Sequence, residues 1–290
     1  MTRAAVLGSP IRHSLSPVLH AAAYDVLGLD WTYDAHEVTE DGLVGFLARL
    51  GGPDLPGEWA GLSLTMPLKR AAIPLCTDLD EVARVTNAAN TLTFGGGAGD
   101  SGGRRVVHGA NTDVPGMVNA LAAAGVRRVD RATVLGGGAT AAAAVAALGQ
   151  ICRGPVEVYV RTPERAAELV PVADHYGLTL RARAWGESPL GLTAPLVIAT
   201  TPKGAADSLA RDALMVPAAQ LGVLFDVLYD PWPTPLATAW TAARGTVLGG
   251  LDLLVHQAVL QVELMTGQNI DRPAVVTAMT KAGRAALERR

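Results

Sequence analysis

The sequence predicts an α/β fold, and three observations carry the prediction. Strand-like and helix-like runs alternate through the first third of the chain. A second alternating series begins near Asp113, and its strand-like runs are short and almost wholly apolar. A glycine-rich turn, "VLGGGATA", joins one of those strands to an alanine-rich helix. Such alternation implies a largely parallel or mixed sheet with helices packed on it. Nearly all-apolar strands imply a parallel sheet covered on both faces. The 290 residues suffice for two modest domains or one large one.

In order along the chain, "AAVLG" reads as a strand ending at Gly8. A helix follows from Pro17, with Val18, Leu19, Ala22 and Tyr24 on its apolar side. "WTYDAHEV" is rich in aromatic and β-branched residues and reads as a strand; a helix spans Asp41 to Leu50. "AGLSLTMP" and "ANTLTF" are further strands, and residues 95–105, "GGGAGDSGGRR", read as a hairpin loop before "VVHG". A helix over Val114 to Ala124 leads into "ATVLGGG", a long helix, "VEVYVR", a helix from Pro163, and "LTLRAR". "PLVIATT", "GVLFDVLY" and "GTVLGG" complete the apolar strands, and two helices follow Gly250.

Composition excludes several classes. The chain is 49% hydrophobic and 18% charged, unlike a disordered chain. Its formal net charge is −3, with no basic block beyond pairs such as Arg104–Arg105 and Arg127–Arg128, so no nucleic-acid partner is expected. Cys76 and Cys152 form no metal-like spacing, which points to a reduced, cytoplasmic protein without a metal. The N-terminus lacks the layout of a signal peptide. Ala132 to Cys152 carries no charge and is long enough to span a bilayer, but three consecutive glycines would break a membrane helix. A buried strand, turn and helix fit it better, and no membrane association is expected.

The turn after the first apolar strand sets Gly136, Gly138 and Ala141 in a G-x-G-x-x-A arrangement. Gly136 permits the tight turn, Gly138 lets backbone approach a pyrophosphate, and the small third residue lets helix and strand pack closely. The next strand ends in Arg161-Thr162-Pro163-Glu164-Arg165 rather than in the acid of an NAD-type site. Arg161 and Arg165 either grip a 2′-phosphate or decorate a helix start. Ser14 and Ser16 lie one residue apart before a helix. Ser16 followed by Pro17 suits a cap, which leaves Ser14 unexplained unless the pair holds a small anion. Of the 24 basic residues only Lys69, Lys203 and Lys281 are lysines, and Lys69 alone is embedded in a motif, "LTMPLKR". Asp113 either caps the helix after "HGANT" or pairs with Lys69 for proton transfer to a ketone oxygen.

Taken in order, "GSPIRHSLSP", "GLSLTMPLK", "AANTL", "GANTD", "VLGGGATA", "FDVLYDPWPTPL" and "GGLDLLVHQA" resemble the shikimate dehydrogenase family over almost the whole chain. The resemblance implies two α/β domains with a cleft between them. One is a mixed-sheet substrate-binding and catalytic domain, 1–112 together with 251–290. The other is a Rossmann-type, parallel-sheet NADP-binding domain, 113–250. It implies reversible NADPH-dependent reduction of 3-dehydroshikimate to shikimate in aromatic amino-acid biosynthesis. By position, Lys69 and Asp113 match the catalytic pair, and Ser14 and Ser16 the carboxylate clamp. Ser63, Thr65, Asn90, Tyr229 and Gln257 match further substrate contacts. Gly136, Gly137, Gly138, Ala139, Arg161, Thr162, Arg165, Thr200 and Gly250 match the cofactor group.

The chain departs from the family pattern in three places. Ser63 stands where asparagine is usual, and Val160 where the basic cofactor motif begins with asparagine. Ala139 and Thr140 replace a commoner glycine and alanine. The rival readings are an NAD-dependent quinate/shikimate dehydrogenase, a non-catalytic ligand-sensing relative and, more distantly, a folate-linked dehydrogenase. Monomer and homodimer are both open.

Overall fold

The computed structural model describes residues 1–95, 106–162 and 164–290, and of Arg165 the backbone alone. The expected loop at 95–105 therefore falls, beyond Gly95, outside the described residues. The chain divides into two compact units, Met1–Thr112 with Leu254–Arg290, and Asp113–Leu253.

The first unit opens with β1 (Thr2–Gly8), whose last five residues are buried. It is followed by α1 (Ser16–Leu27), β2 (Trp31–Glu37), α2 (Glu40–Arg49) and β3 (Glu58–Leu64). The order of charges along α2 suits the helix dipole, with Glu40 and Asp41 in its first turn and Arg49 in its last. Next come α3 (Leu68–Ala71), β4 (Asp78–Leu79), α4 (Glu81–Thr86), β5 (Thr91–Gly95) and β6 (Val106–Ala110). Asp80 caps α4 by accepting from the Ala83 amide at 2.6 Å. The six strands form a mixed sheet in the order β2-β1-β3-β5-β6-β4. β1 is parallel to β2 and β3, while β5 runs antiparallel to β3 and β6. Leu7, Leu43, Phe46, Trp59, Leu62 and Leu92 fill one core on this sheet. Each fully buried side chain of this size stabilises the fold by about 1.5–3 kcal/mol.

The second unit runs through α5 (Asp113–Ala123), β7 (Ala132–Leu135), α6 (Ala139–Ile151), β8 (Val156–Val160), α7 (Glu164–Ala167), α8 (Val170–His175) and β9 (Leu180–Ala184). It continues with α9 (Ser188–Gly191), β10 (Leu196–Ala199), α10 (Leu209–Met215), β11 (Val223–Asp226), α11 (Pro235–Ala242) and β12 (Thr246–Leu248). Its sheet is wholly parallel, in the order β12-β11-β10-β7-β8-β9. Counted from β7 this is the doubly wound 3-2-1-4-5-6 arrangement, whose strand order reverses between β7 and β10. The uncharged segment resolves into β7, the glycine turn and α6. Ala141 to Ala147 of α6 are all buried, and their short side chains let the helix lie close on the sheet. Among the described residues, no helix is long and apolar enough to cross a membrane.

The single helix expected from Pro163 is instead two short ones, α7 and α8. Pro171 sits in the first turn of α8, where it lacks the amide that would continue α7. Pro163 itself lies outside the described residues. α12 (Gly250–Thr266) begins in the second unit and belongs to the first from Leu254 onward, and α13 (Arg272–Glu288) packs along α1.

Candidate active site

Gly8 ends β1 against the turn that carries Thr65. A Cβ at Gly8 would lie 2.9 Å from the Met66 carbonyl and closer still to the Thr65 methyl, so no larger residue fits. The chain then turns through Ile11, whose carbonyl accepts from the Ser14 amide at 2.9 Å. The Ser14 hydroxyl accepts from the Ser16 amide at 3.2 Å. This corrects the expected cap. The residue before α1, Leu15, already has helical angles (φ −86°, ψ −9°), and its side chain makes no capping hydrogen bond. Ser16 is therefore inside the first turn, where its hydroxyl is not placed as an extended cap residue's would be, and the amide is taken by Ser14 instead. Ser16 is buried and Ser14 half-buried. The carbonyl of His13 accepts from Arg290, just beyond the end of α13, at 2.9 Å.

Behind Ser16 the Tyr33 phenol of β2 donates to the Ser63 hydroxyl of β3 at 2.6 Å. The hydroxyl of Ser63 donates in turn to Gln261 Oε1 at 2.8 Å. Ser63 is thus buried, with its proton directed to Gln261. Gln261 Nε2 donates to the Asn90 carbonyl at 3.0 Å and to Thr91 Oγ1 at 2.9 Å. Thr91 Oγ1 donates to Asn90 Oδ1 at 2.9 Å, as does the Thr112 amide at 2.8 Å. Asn90 Nδ2 donates to Thr112 Oγ1 at 2.9 Å and to Gln257 Oε1 at 3.2 Å. Gln257 Nε2 donates to the Leu254 carbonyl at 2.9 Å.

All of these residues belong to the first unit. Two of them, Tyr33 and Gln261, lie outside the residues that the sequence singles out, whereas Thr91 and Thr112 fall in the motifs "AANTL" and "GANTD". A signal for Gln261 was present: it stands one turn beyond Gln257 on the same apolar helix, where a buried amide demands partners.

Thr65 is half-buried, and its carbonyl accepts from the Leu68 amide at 2.8 Å as α3 begins. Lys69 of α3 is half-buried, and its carbonyl accepts from the Ala89 amide at 2.8 Å. The lysine backbone is thereby tied to the residue before Asn90. Asn111 fixes the "GANTD" loop. Its Nδ2 donates to Thr86 Oγ1 at 3.0 Å and to the Ala88 carbonyl at 2.9 Å. Asp113 is buried and is the first residue of α5 and of the second unit.

In the second unit the glycine turn leaves β7 at the strand-order reversal. Gly136 has φ +116°, and a Cβ there would lie 2.7 Å from Thr200 Oγ1, so glycine is required twice over. The Thr200 amide and hydroxyl both donate to the Leu135 carbonyl at 2.9 Å, pinning the ends of β7 and β10 together. Gly137 is half-buried. Gly138 precedes α6 in extended conformation with no side-chain cap, and a Cβ there would meet nothing within 4 Å. The first amides of α6, from Ala139 on, receive no side-chain cap, and an uncapped helix N-terminus suits a pyrophosphate.

Arg161 and Thr162 are exposed at the end of β8, after buried Val160. The side chain of Arg165 lies outside the described residues. Tyr229 is half-buried in the loop after β11. That loop is cinched by Asp226, which accepts from Thr234 Oγ1 at 2.6 Å and from the Leu228 amide at 3.2 Å. Burial raises the Asp226 pKa against those two bonds. Gly250 packs on the same loop. Its amide donates to the Leu228 carbonyl at 3.0 Å, and a Cβ would lie 2.6 Å from the Leu228 carbonyl carbon.

A doubly wound sheet with a bare helix N-terminus at its switch point defines a Rossmann-type dinucleotide-binding unit. Here it accompanies a mixed-sheet unit with a buried cluster of amides and hydroxyls. Residues 6–92 match the shikimate dehydrogenase substrate binding domain, and residues 250–280 match the shikimate 5′-dehydrogenase C-terminal domain. The chain belongs to the shikimate dehydrogenase family. It is 35% identical over 287 residues to the NADP(+) shikimate dehydrogenase of Brucella abortus, covering 96% of this chain and 92% of that one. The crystal structure of Mycobacterium tuberculosis shikimate dehydrogenase superposes with a TM-score of 0.83 at 36% identity, over 97% of this chain and 100% of that one. The Thermus thermophilus shikimate 5-dehydrogenase, solved in complex with NADP(H) and shikimate, superposes with a TM-score of 0.75 at 31% identity, over 97% and 100% of the chains.

Proposed function

We propose that the chain catalyses the reversible NADPH-dependent reduction of 3-dehydroshikimate to shikimate, a step of chorismate and aromatic amino-acid biosynthesis. The observation that carries this reading is the 35% identity, over 96% of the chain, to an NADP(+) shikimate dehydrogenase. Residues 1–112 with 251–290 bind substrate in this reading, and residues 113–250 bind NADP(H). NADPH supplies the hydride when bound. Lys69 holds a proton for the carbonyl oxygen as it becomes an alkoxide, and Asp113 accepts from the resulting hydroxyl. General acid–base assistance of this kind is worth about 10²–10⁴-fold.

Ser14 and Ser16 donate to the substrate carboxylate. Thr65, Asn90 and Gln257 hold ring hydroxyls, and Tyr229 matches a tyrosine near the substrate. Ser63 acts from behind, through Gln261. Gly136, Gly137, Gly138 and Ala139 cradle the pyrophosphate at the start of α6. Arg161, Thr162 and Arg165 take the 2′-phosphate, and the absence of an acid at the end of β8 favours NADP over NAD. Thr200 and Gly250 complete the cofactor group. The enzyme works in the cytoplasm, consistent with two unpaired cysteines whose thiols burial holds above their ordinary pKa. Light scattering separates the monomer from the homodimer.

The test is steady-state turnover of shikimate by the purified chain, read as absorbance of the reduced nicotinamide. Turnover with a preference for NADP⁺ is expected. No turnover, or a preference for NAD⁺, would sink the reading.

A further inference from the structure

The hydrogen bonds that link Tyr33 to Leu254 through Asn90 and Gln257 run one way, and three backbone groups dictate the direction. The Leu254 carbonyl can only accept, so Gln257 turns its Nε2 to it at 2.9 Å and its Oε1 to Asn90. Asn90 must then present Nδ2 to Gln257. Its Oδ1 faces the Thr112 amide, which can only donate, at 2.8 Å. The Asn90 carbonyl can only accept, so Gln261 turns its Nε2 toward it and its Oε1 to Ser63. Ser63 is left to donate to Gln261 and to accept from Tyr33. The result is a relay from Tyr33 through Ser63, Gln261, Thr91, Asn90 and Gln257 to the Leu254 carbonyl.

The head of the relay is secured in two ways. The Tyr33 ring stacks on His20 with centroids 3.8 Å apart, and burial pushes the phenol pKa up, so it stays a protonated donor. Every side chain in the relay is buried, so any broken link strands a polar group away from water. At the other end Gln257 Oε1 is occupied by Asn90, and one Nε2 hydrogen goes to Leu254. The second Nε2 hydrogen lies outside the relay.

We propose that Gln261 is a positioning residue of the substrate pocket: through Thr91 and the Asn90 carbonyl it holds Asn90 in the orientation that the Thr112 amide selects, so that Gln257 meets the substrate as an N–H donor and never as an acceptor. This rests on the functional reading above, in which Gln257 holds a ring hydroxyl. That hydroxyl must then accept from Gln257 and send its own proton elsewhere. Gln261 acts only through Thr91 and Asn90.

The experiment compares Gln261→Met, which keeps length but removes both the donors and the acceptor, with wild type and with Tyr24→Phe. Tyr24 lies in the same aromatic cluster and its hydroxyl has no partner, so it is the packing control. In Gln261→Met the KM for shikimate should rise about tenfold, the effect of losing roughly one well-made hydrogen bond. Its KM for NADP⁺ should not move, and Tyr24→Phe should leave both constants unchanged. If Gln261→Met does not fold, Ser63→Ala is read in its place, with a smaller rise in the same constant.

Side-chain amide exchange, followed by NMR, reads the polarity directly. In ligand-free wild type one Gln257 side-chain proton should be protected and the other exposed to exchange. Saturating shikimate should protect the second. In Gln261→Met the protection of Asn90 should be lost. A shikimate KM within about twofold of wild type in Gln261→Met or its substitute overturns the proposal, as does a Gln257 amide indifferent to shikimate. A wild type that turns over no shikimate overturns the functional reading instead, and protection of the Asn90 amide in the ligand-free protein then still decides whether the relay exists.

Discussion

Replacing His20 with phenylalanine should flatten the acid side of the stability profile. His20 is fully buried in α1, with Nδ1 bonded to the Ser16 carbonyl at 2.9 Å and Nε2 buried without a partner. Desolvation outweighs the carbonyl bond and lowers its pKa from 6.5 to about 4. Between those two values the unfolded chain holds a proton that the native chain does not. Stability from this group is therefore complete above about pH 6.5 and is lost as pH falls toward 4. At pH 5 the gap is worth about 2 kcal/mol, since each pH unit below 6.5 costs about 1.4 kcal/mol until the native state also protonates. Urea unfolding at pH 7 and pH 5, followed by circular dichroism, measures it. His36, whose pKa burial also lowers, contributes equally to both proteins and cancels. Wild type should lose about 2 kcal/mol more than His20→Phe between the two pH values. Equal losses would refute the reasoning.

Ser14→Ala should cost both activity and stability. Losing a hydrogen bond to a charged group, worth about 1.5–3 kcal/mol, lowers kcat/KM for shikimate roughly 10- to 100-fold. Losing the acceptor for the Ser16 amide lowers Tm, and an unchanged Tm in differential scanning calorimetry would contradict that contact. Arg161→Asp should collapse the preference for NADP⁺ by repelling the 2′-phosphate. Exposure of Arg161 weakens each contact, so the wild-type preference is expected to be at most about 100-fold, read as the ratio of kcat/KM for the two cofactors.

The elements most legible in the sequence are those governed by short-range pattern. β7, β8, β10 and β11 are mostly apolar runs, each preceded by a glycine, a proline or a charged residue, and the structure sets them in a parallel sheet. The start of α6 follows from a glycine turn that only a strand-to-helix connection explains. β4 and α4 are less visible, because elements of two and six residues carry too few positions for a period to show.

The serine pair alone points to the wrong cap, because the choice of cap depends on the backbone angles of Leu15, which composition does not reveal. For Ser63 the resemblance of its motif implies a substrate contact. Its proton goes to Gln261, 198 positions away in sequence, and a partner at that distance leaves no local trace. Tyr33 looked like any aromatic residue in a strand, and only the fold brings its phenol to Ser63.

The central claim is that Lys69 supplies the proton for the carbonyl oxygen, and one measurement addresses it most directly: kcat for shikimate oxidation with NADP⁺ in Lys69→Ala. The account predicts a loss of about 10²–10⁴-fold in kcat, with the shikimate KM changed by less than about threefold. A variant whose kcat stays within about threefold of wild type would contradict it.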